Sequence, residues 1–485
     1  MTDLQEKGSG YNSGSSDGNR SQEQVVLFER PKGLKGFYYH PLTQVVLLGF
    51  VCFMCPGLFN ALNGLGGGGQ IDATTSANAN AALYATFAFG AFFSGSITNK
   101  LGSRLTLFLG STGYPLYIGA YLALNIHPHA GAFLIAAGAI LGICAGLLWS
   151  AQGSLMLGYA TEGQKGKFIA VFWAVFNTGA VVGAAVSLGQ NIHSTTNSVS
   201  NSTYIAFLVL TIVGMIITTL MADPAKVIRT DGTKVEIYGL WITLLTDPMV
   251  ILLFPMFLAS NWFYTWQFND YNDAIFNIRA RSLNNLVYWL AQSVGAIAMG
   301  TLLDQKALTR RLRAFSGWAV LFCMVWIVHI WAYFYQKTYT RESVPPDSDN
   351  KIDISDSGYA AKIWLYIFCG LLDAMWQTAS YWILGAMSND PAKLAYFAGF
   401  YKSIQSAGAA GAWRADAVKT PYMNLFISTW VLLVAGLVFA LPMLYLRVKE
   451  HTDLADETLL RMDDAGNILD TAQVARERPD LVSEK

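Results

Sequence analysis

Twelve stretches of about twenty residues are apolar enough to cross a bilayer core, and nothing else constrains this chain as strongly. In hydrocarbon a backbone N–H or C=O has no water to bond, so each stretch must pair its own polar groups and can only be a helix. The runs are 43–64, 79–98, 105–125, 131–158, 168–188 and 203–221, then 248–268, 283–303, 315–335, 363–385, 394–413 and 424–446. They fall into two groups of six, a bundle over 43–221 and another over 248–446, joined by a polar linker at 222–247. The ends, 1–42 and 447–485, are polar tails. The expected fold is therefore all-α, a polytopic membrane protein of about twelve transmembrane helices in two six-helix bundles.

Composition agrees. Charged residues are 13% of the chain, against about 25% in soluble proteins. Such a chain cannot cover a water-facing surface, which excludes a nucleic-acid binder, a disordered scaffold and a disulfide-rich secreted module. The five cysteines all lie in apolar runs, and the Cys52–Cys55 spacing reads as packing. No metal, cofactor or catalytic constellation is expected, and the chain does not read as an enzyme. None of the six histidines is placed for a proton relay.

Basic residues give the orientation. With both tails in the cytoplasm, 23 of the 32 Lys and Arg fall on that side and eight on the other, with Lys402 inside a span. Which membrane holds the chain, plasma membrane or an endomembrane, is left open. On the outer side Asn201-Ser202-Thr203 is an N-glycosylation sequon at the edge of span six. The loop from Lys337 to Tyr359 reads as a solvated outer hairpin, and the run Gly66 to Gly69 as a flexible or closely packed exit from span one.

After span two comes Gly95-Ser-Ile-Thr-Asn99-Lys100-Leu-Gly102-Ser-Arg104, and a partial echo after span eight, from Gly300 to Asp304 with Lys306, Arg310 and Arg311. Glycine lets helices approach, and basic groups can bind helix C-termini, where the dipole is negative. Such an element is a candidate conformational latch between the bundles. It resembles the loop signature of the major facilitator superfamily, G-x-x-x-D-R-x-G-R-R, with Asn99 in place of the acid and Lys100 in place of an arginine. Further pieces narrow the resemblance: Cys55-Pro-Gly-Leu-Phe-Asn60-Ala-Leu-Asn63 running into the glycines, Trp149-Ser-Ala-Gln152-Gly153, Phe172-Trp-Ala-Val-Phe176-Asn177-Thr-Gly179 and Phe400-Tyr-Lys402-Ser-Ile-Gln405. Together they are similar to the uncoordinated-ninety-three-like branch of that superfamily, in its fungal form. The resemblance implies the major facilitator fold, with spans one, four, seven and ten around a central cavity. It also implies that members include regulators of potassium channels or helpers in receptor trafficking.

An ionisable residue at mid-bilayer marks a functional site by default. Asp373 is central to span ten and Lys402 to span eleven, at similar depth, and they form a candidate charge pair. Cavity-lining candidates are Asn60 and Asn63 of span one, Trp149 and Gln152 of span four, Asn261, Trp266 and Gln267 of span seven, and Trp376 and Gln377 of span ten. Amides both donate and accept, and aromatic faces suit cations and apolar bodies. Two readings stay open. One is a secondary transporter moving a small solute or ion by alternating access. The other is a non-transporting partner that regulates or traffics another membrane protein.

Overall fold

The computed structural model describes residues 31–160, 165–230, 248–305, 307–348, 350–387 and 391–448, with a two-residue strand pair, Arg461–Met462 against Ile468–Leu469, in the C-terminal tail. Most of the N-terminal tail, the C-terminal tail and the linker 222–247 lies outside the described residues. The rest is helical. Span one is Pro41–Gly64, two Ala73–Leu101, three Ser103–Ile126, four Gly131–Tyr159, five Lys165–Asn191 and six Asn201–Thr219. Span seven is assembled from pieces. Span eight is Ile278–Leu303, nine Arg310–Gln336, ten Tyr359–Met387, eleven Pro391–Ala417 and twelve Tyr422–Arg447. Among the described residues eight of these helices are individually long and apolar enough to span: one, three, four, five, six, eight, nine and twelve. Those that do not qualify alone include seven, ten and eleven, which supply the polar groups described below.

Span seven departs from the continuous helix that its hydropathy suggests. A 3₁₀ segment at Pro248–Leu253 leads into Phe254–Ala259, the helix breaks, resumes at Phe263–Thr265 and finishes as π-helix over Trp266–Asp273. The wide turn is favoured because Gln267, Asn269, Asp270 and Asn272 all find side-chain partners on neighbouring elements, which offsets the poorer backbone geometry. Span one carries a similar π turn at Phe53–Gly57, where Pro56 removes a donor.

Contacts repeat between the halves. Span two packs on four as eight packs on ten, three on six as nine on twelve, and one on five as seven on eleven. The bundles meet along two related seams, span two with eleven and span five with eight. Small residues permit this closeness. A Cβ on Gly138 would lie 2.4 Å from the Ala79 carbonyl oxygen, and one on Gly179 would lie 2.4 Å from that of Phe53. The face on which span one begins and span twelve ends is called the tail face, and the opposite one the far face.

Candidate functional site

The midpoint of the molecule holds a hydrogen-bonded chain on spans ten and eleven. Asp373 is buried, and its carboxylate accepts from Tyr288 Oη at 2.9 Å, from Gln377 Nε2 at 2.8 Å and from Gln292 Nε2. Gln377 and Asp373 stand one turn apart on one helix face. Gln405 Nε2 donates to Gln377 Oε1 at 3.5 Å and to Asn261 Oδ1 at 2.8 Å, and Gln405 Oε1 accepts from Lys402 Nζ at 2.9 Å. Gln377 also donates to Tyr264 Oη at 3.1 Å, and Tyr288 Oη lies 2.7 Å from Gln267 Oε1, so its single proton serves either that oxygen or the Asp373 carboxylate. Asp373 and Lys402 thus do not form the direct ion pair that their depths suggest. The charges are bridged by Gln377 and Gln405, because Asp373 is turned toward span eight and Lys402 toward the opposite bundle. Lys402 Nζ lies within 6.0 Å of the ring centres of Trp149, Tyr381 and Tyr401.

The far face is closed by a denser cluster that joins the bundles. Arg281 is fully buried. Its guanidinium donates to the carbonyls of Leu65 at 2.7 Å, Gly66 at 2.6 Å and Asn197 at 2.8 Å, all in the first bundle, and pairs with Asp273 at 2.6 Å. Asn285 donates to the Ala61 carbonyl at 2.6 Å, Asn272 to that of Gly64 at 3.0 Å, and the Gly67 N–H donates to Asn269 Oδ1 at 2.8 Å. The glycine run is what makes this possible. Gly66 through Gly69 all have positive φ, and a Cβ on Gly66 would lie 2.1 Å from the Phe268 carbonyl oxygen. The run is therefore a closely packed docking loop.

Over this cluster lies the segment 337–358, most of whose described residues are exposed, as a solvated hairpin requires, but which is tied down at a few points. Its polar groups find partners that a free hairpin would leave in water: Arg341 bonds the Thr420 carbonyl at 2.7 Å and pairs with Asp416 and Asp270, and Arg279 pairs with Asp353. Lys351 Nζ reaches the Asp273 carbonyl at 2.8 Å. Burial lowers the Lys351 pKa, with Asp273 working against the shift. Burial also opposes the charge on Arg341, but Asp270 and Asp416 more than compensate and raise its pKa.

Other candidates are scattered. Asn60 and Trp149 are half-buried, and Trp149 faces Lys402 across the seam. Asn63 accepts from Asn80 at 3.3 Å within its own bundle, and Gln152 is buried with its Nε2 3.4 Å from Met156 Sδ. Trp266 and Trp376 do not line the seam. They are packed inside the second bundle, donating to Gln336 Oε1 at 2.6 Å and to Ser260 Oγ at 3.1 Å, because a buried indole needs an acceptor and these helices supply one. In the latch element, the side-chain surroundings of Gly95 and Asn99 lie outside the described residues, and so does Lys306. Lys100 is exposed, Gly102 has φ +77°, and Asp304 caps span eight. Arg104 donates to the Thr219 carbonyl, Arg310 to that of Ala386 at 2.9 Å, and Arg311 to that of Tyr445 at 3.4 Å. These bonds cap helix C-termini within one bundle, so they brace each half and do not latch one to the other. Asn201 begins span six, exposed, and accepts from Asn125 at 2.7 Å.

Arg281, Asp270, Asp273, Asp416 and Gln405 were not legible as a site. The signal available was the density of Asn, Asp and Arg between 269 and 285, which hydropathy assigns to a loop.

A family model described as "Ion channel regulatory protein UNC-93" matches residues 67–444. A UNC93-like protein of Schizosaccharomyces pombe is 45% identical over 426 residues, 86% of this chain and 84% of the relative. UNC93-like protein 1 of Arabidopsis thaliana is 39% identical over 452 residues, 91% of this chain and 95% of the relative. Among solved structures, a D-xylose–proton symporter superposes with a TM-score of 0.57 at 14% identity, covering 85% of this chain and 98% of that one, a likeness of fold.

Proposed function

The chain belongs to the UNC-93 family, and from that premise we propose that it moves a small solute or ion across a membrane by alternating access. The tails are cytoplasmic in this reading, the far face is outside, and the two bundles rock about the seams. The observation that carries the reading is the bridged pair, Asp373–Gln377–Gln405–Lys402, set at mid-depth with Gln377, Asn261, Tyr264 and Lys402 only half-buried. A polar network costs free energy in a bilayer unless it is fully bonded or used. This one is incompletely enclosed. The far-face cluster supports the same reading, since a closed outer side and a half-open middle are what one end of a rocking cycle requires.

Binding would occur in the half-open state, and release on the other side would need the Arg281 contacts to part. The symporter resembles this chain in fold only, so neither its sugar nor its proton carries over. The family's description favours a second reading, in which the protein regulates an ion channel and the seam never opens outward.

The test is thiol labelling of a Gln377→Cys variant in sealed vesicles, with Cys144 and Cys323 replaced by serine. Transport predicts labelling by a membrane-impermeant reagent from the tail side in the parent background, and from the far side once Arg281→Ala is added. Absence of labelling from either side would reject alternating access and leave the regulatory reading.

A further inference from the structure

We propose that Lys402 anchors a binding site for an organic anion with a flat apolar body, an aromatic carboxylate being the simplest case. The inference rests on the transport reading for its purpose, and on separate observations for its chemistry.

The first observation is an imbalance between the two charges. An ammonium has three donors. One of those of Lys402 reaches Gln405 Oε1, and no carboxylate lies within ion-pair distance among the described residues. Asp373 is the reverse case. Both of its oxygens are occupied, one by Gln377 and the other by Tyr288 and Gln292. A cation entering the seam would have to displace neutral donors from Asp373 while Lys402 repels it. An anion would be repelled by Asp373 as a cation is by Lys402, but it would meet an ammonium with donors to spare, where a cation meets a carboxylate bonded on both oxygens. Ring faces at 5.5–6.0 Å hold that ammonium only weakly, whereas a carboxylate at hydrogen-bond distance would hold it by a charge-assisted bond.

The second observation is the shape of the surroundings. Trp149 and Trp173 lie nearly parallel, 27° apart with centres at 6.3 Å, and Phe176 packs edge-on to Trp149 at 5.5 Å. Trp173 meets Tyr381 at 6.1 Å across the seam, and Tyr381 meets Tyr401 at 5.1 Å. These rings come from spans four, five, ten and eleven, so both bundles build the basket. Trp149, Trp173 and Tyr381 are half-buried, which leaves ring surface for an occupant. Flat aromatic walls around one cation select a flat anion. An occupant held by both bundles also couples its binding to their relative position.

The experiment uses the purified full chain in detergent and follows Tm and equilibrium dialysis with 2-naphthoate, 2-naphthamide, 2-naphthylmethylammonium and laurate. The expected result is a concentration-dependent rise in Tm with 2-naphthoate, none with the amide or the ammonium, and a smaller one with laurate. Lys402→Gln should lose roughly tenfold or more in naphthoate affinity, the loss of one charge-assisted bond. Lys402→Arg should retain most of it, and Trp149→Leu should weaken it by less than Lys402→Gln does. Should Lys402→Gln fail to fold, the acid-against-amide comparison on the parent and the Trp149→Leu variant decide the matter. The proposal is overturned if naphthoate does not bind, if it binds Lys402→Gln as well as the parent, or if the ammonium is preferred. Laurate binding as tightly as naphthoate would overturn the flat body. Labelling of Gln377→Cys that succeeds while naphthoate fails sinks this inference alone, and failure of the labelling sinks the transport reading whatever naphthoate does.

Discussion

The far-face cluster and the mid-seam network are both polar and both lie where the two bundles meet, yet they differ in how many hydrogen bonds cross from one bundle to the other. At the far face Arg281 spends its donors on three carbonyls and a carboxylate, and the glycine loop is shaped to receive it. At mid-seam Lys402 has one acceptor and three rings at the limit of useful contact. At the far face Asp270 Oδ2 and, its ion pairs aside, Asp273 Oδ1 lie buried without hydrogen-bond partners, but the many bonds between the bundles still fix one arrangement, while an ammonium with a single acceptor can take a visitor. The difference suggests that the first region sets the state of the molecule and the second responds to a solute.

The comparison breaks most readily at Arg281. Arg281→Leu strips three carbonyls and leaves buried Asp273 with only Lys351, 3.9 Å away, a loss of about 3–5 kcal/mol, read as a large fall in Tm. A fall no greater than that of a surface control would mean that the far face is not held by this residue. Next come the glycines. Gly68→Ala sets a Cβ 2.2 Å from the Tyr121 ring at φ +62°, at a cost of about 2–4 kcal/mol. Gly102→Ala, at φ +77° and ψ 150° with open space around it, carries backbone strain alone, about 1–3 kcal/mol. Equal costs would show that φ alone matters and that the loop is not a tight dock.

Asp373→Asn sharpens the other side. The new amide turns an NH2 toward groups that donate to the carboxylate, which should cost about 1–2 kcal/mol of stability. Solute binding should suffer more than stability does, through the Gln377–Gln405 bridge. The smallest effect is in the segment 337–358. Burial lowers the Lys351 pKa, so the unfolded chain takes up its proton more readily than the folded one. That contribution to stability is present above the ordinary lysine value of about 10.4 and is lost as pH falls through the lowered folded value. Lys351→Met should flatten the alkaline part of the pH–Tm curve, and an unchanged slope would exclude the lysine as its source.

Much of the fold was legible because hydrocarbon leaves the backbone no alternative to helices. Twelve apolar runs set the two six-helix groups, and the quoted motifs around Asn60, Gln152 and Lys402 pointed to the right family. The depths of Asp373 and Lys402 were readable too, since helix position tracks residue number. Their rotation was not. A helix face is set by packing, so the direct pair gave way to a bridge through Gln377 and Gln405. The same limit misplaced Trp266 and Trp376, which satisfy their indoles inside one bundle. The far-face cluster escaped for another reason. Hydropathy treats Asp270, Asp273 and Arg281 as loop residues, and only the fold shows that they are buried against Leu65 and Gly66.

The central claim is that these bundles move relative to each other and that Arg281 holds the far face shut. Electron–electron distance measurements between spin labels test it directly, with Cys144 and Cys323 replaced by serine. One pair would sit at His129 and Lys419 on the far face and another at Lys100 and Asp304 on the tail face, all exposed positions. The account predicts one short far-face distance in the parent background, and in Arg281→Ala a second, longer population accompanied by a shorter tail-face distance. Distances that stay fixed on both faces in the folded Arg281→Ala variant would contradict it.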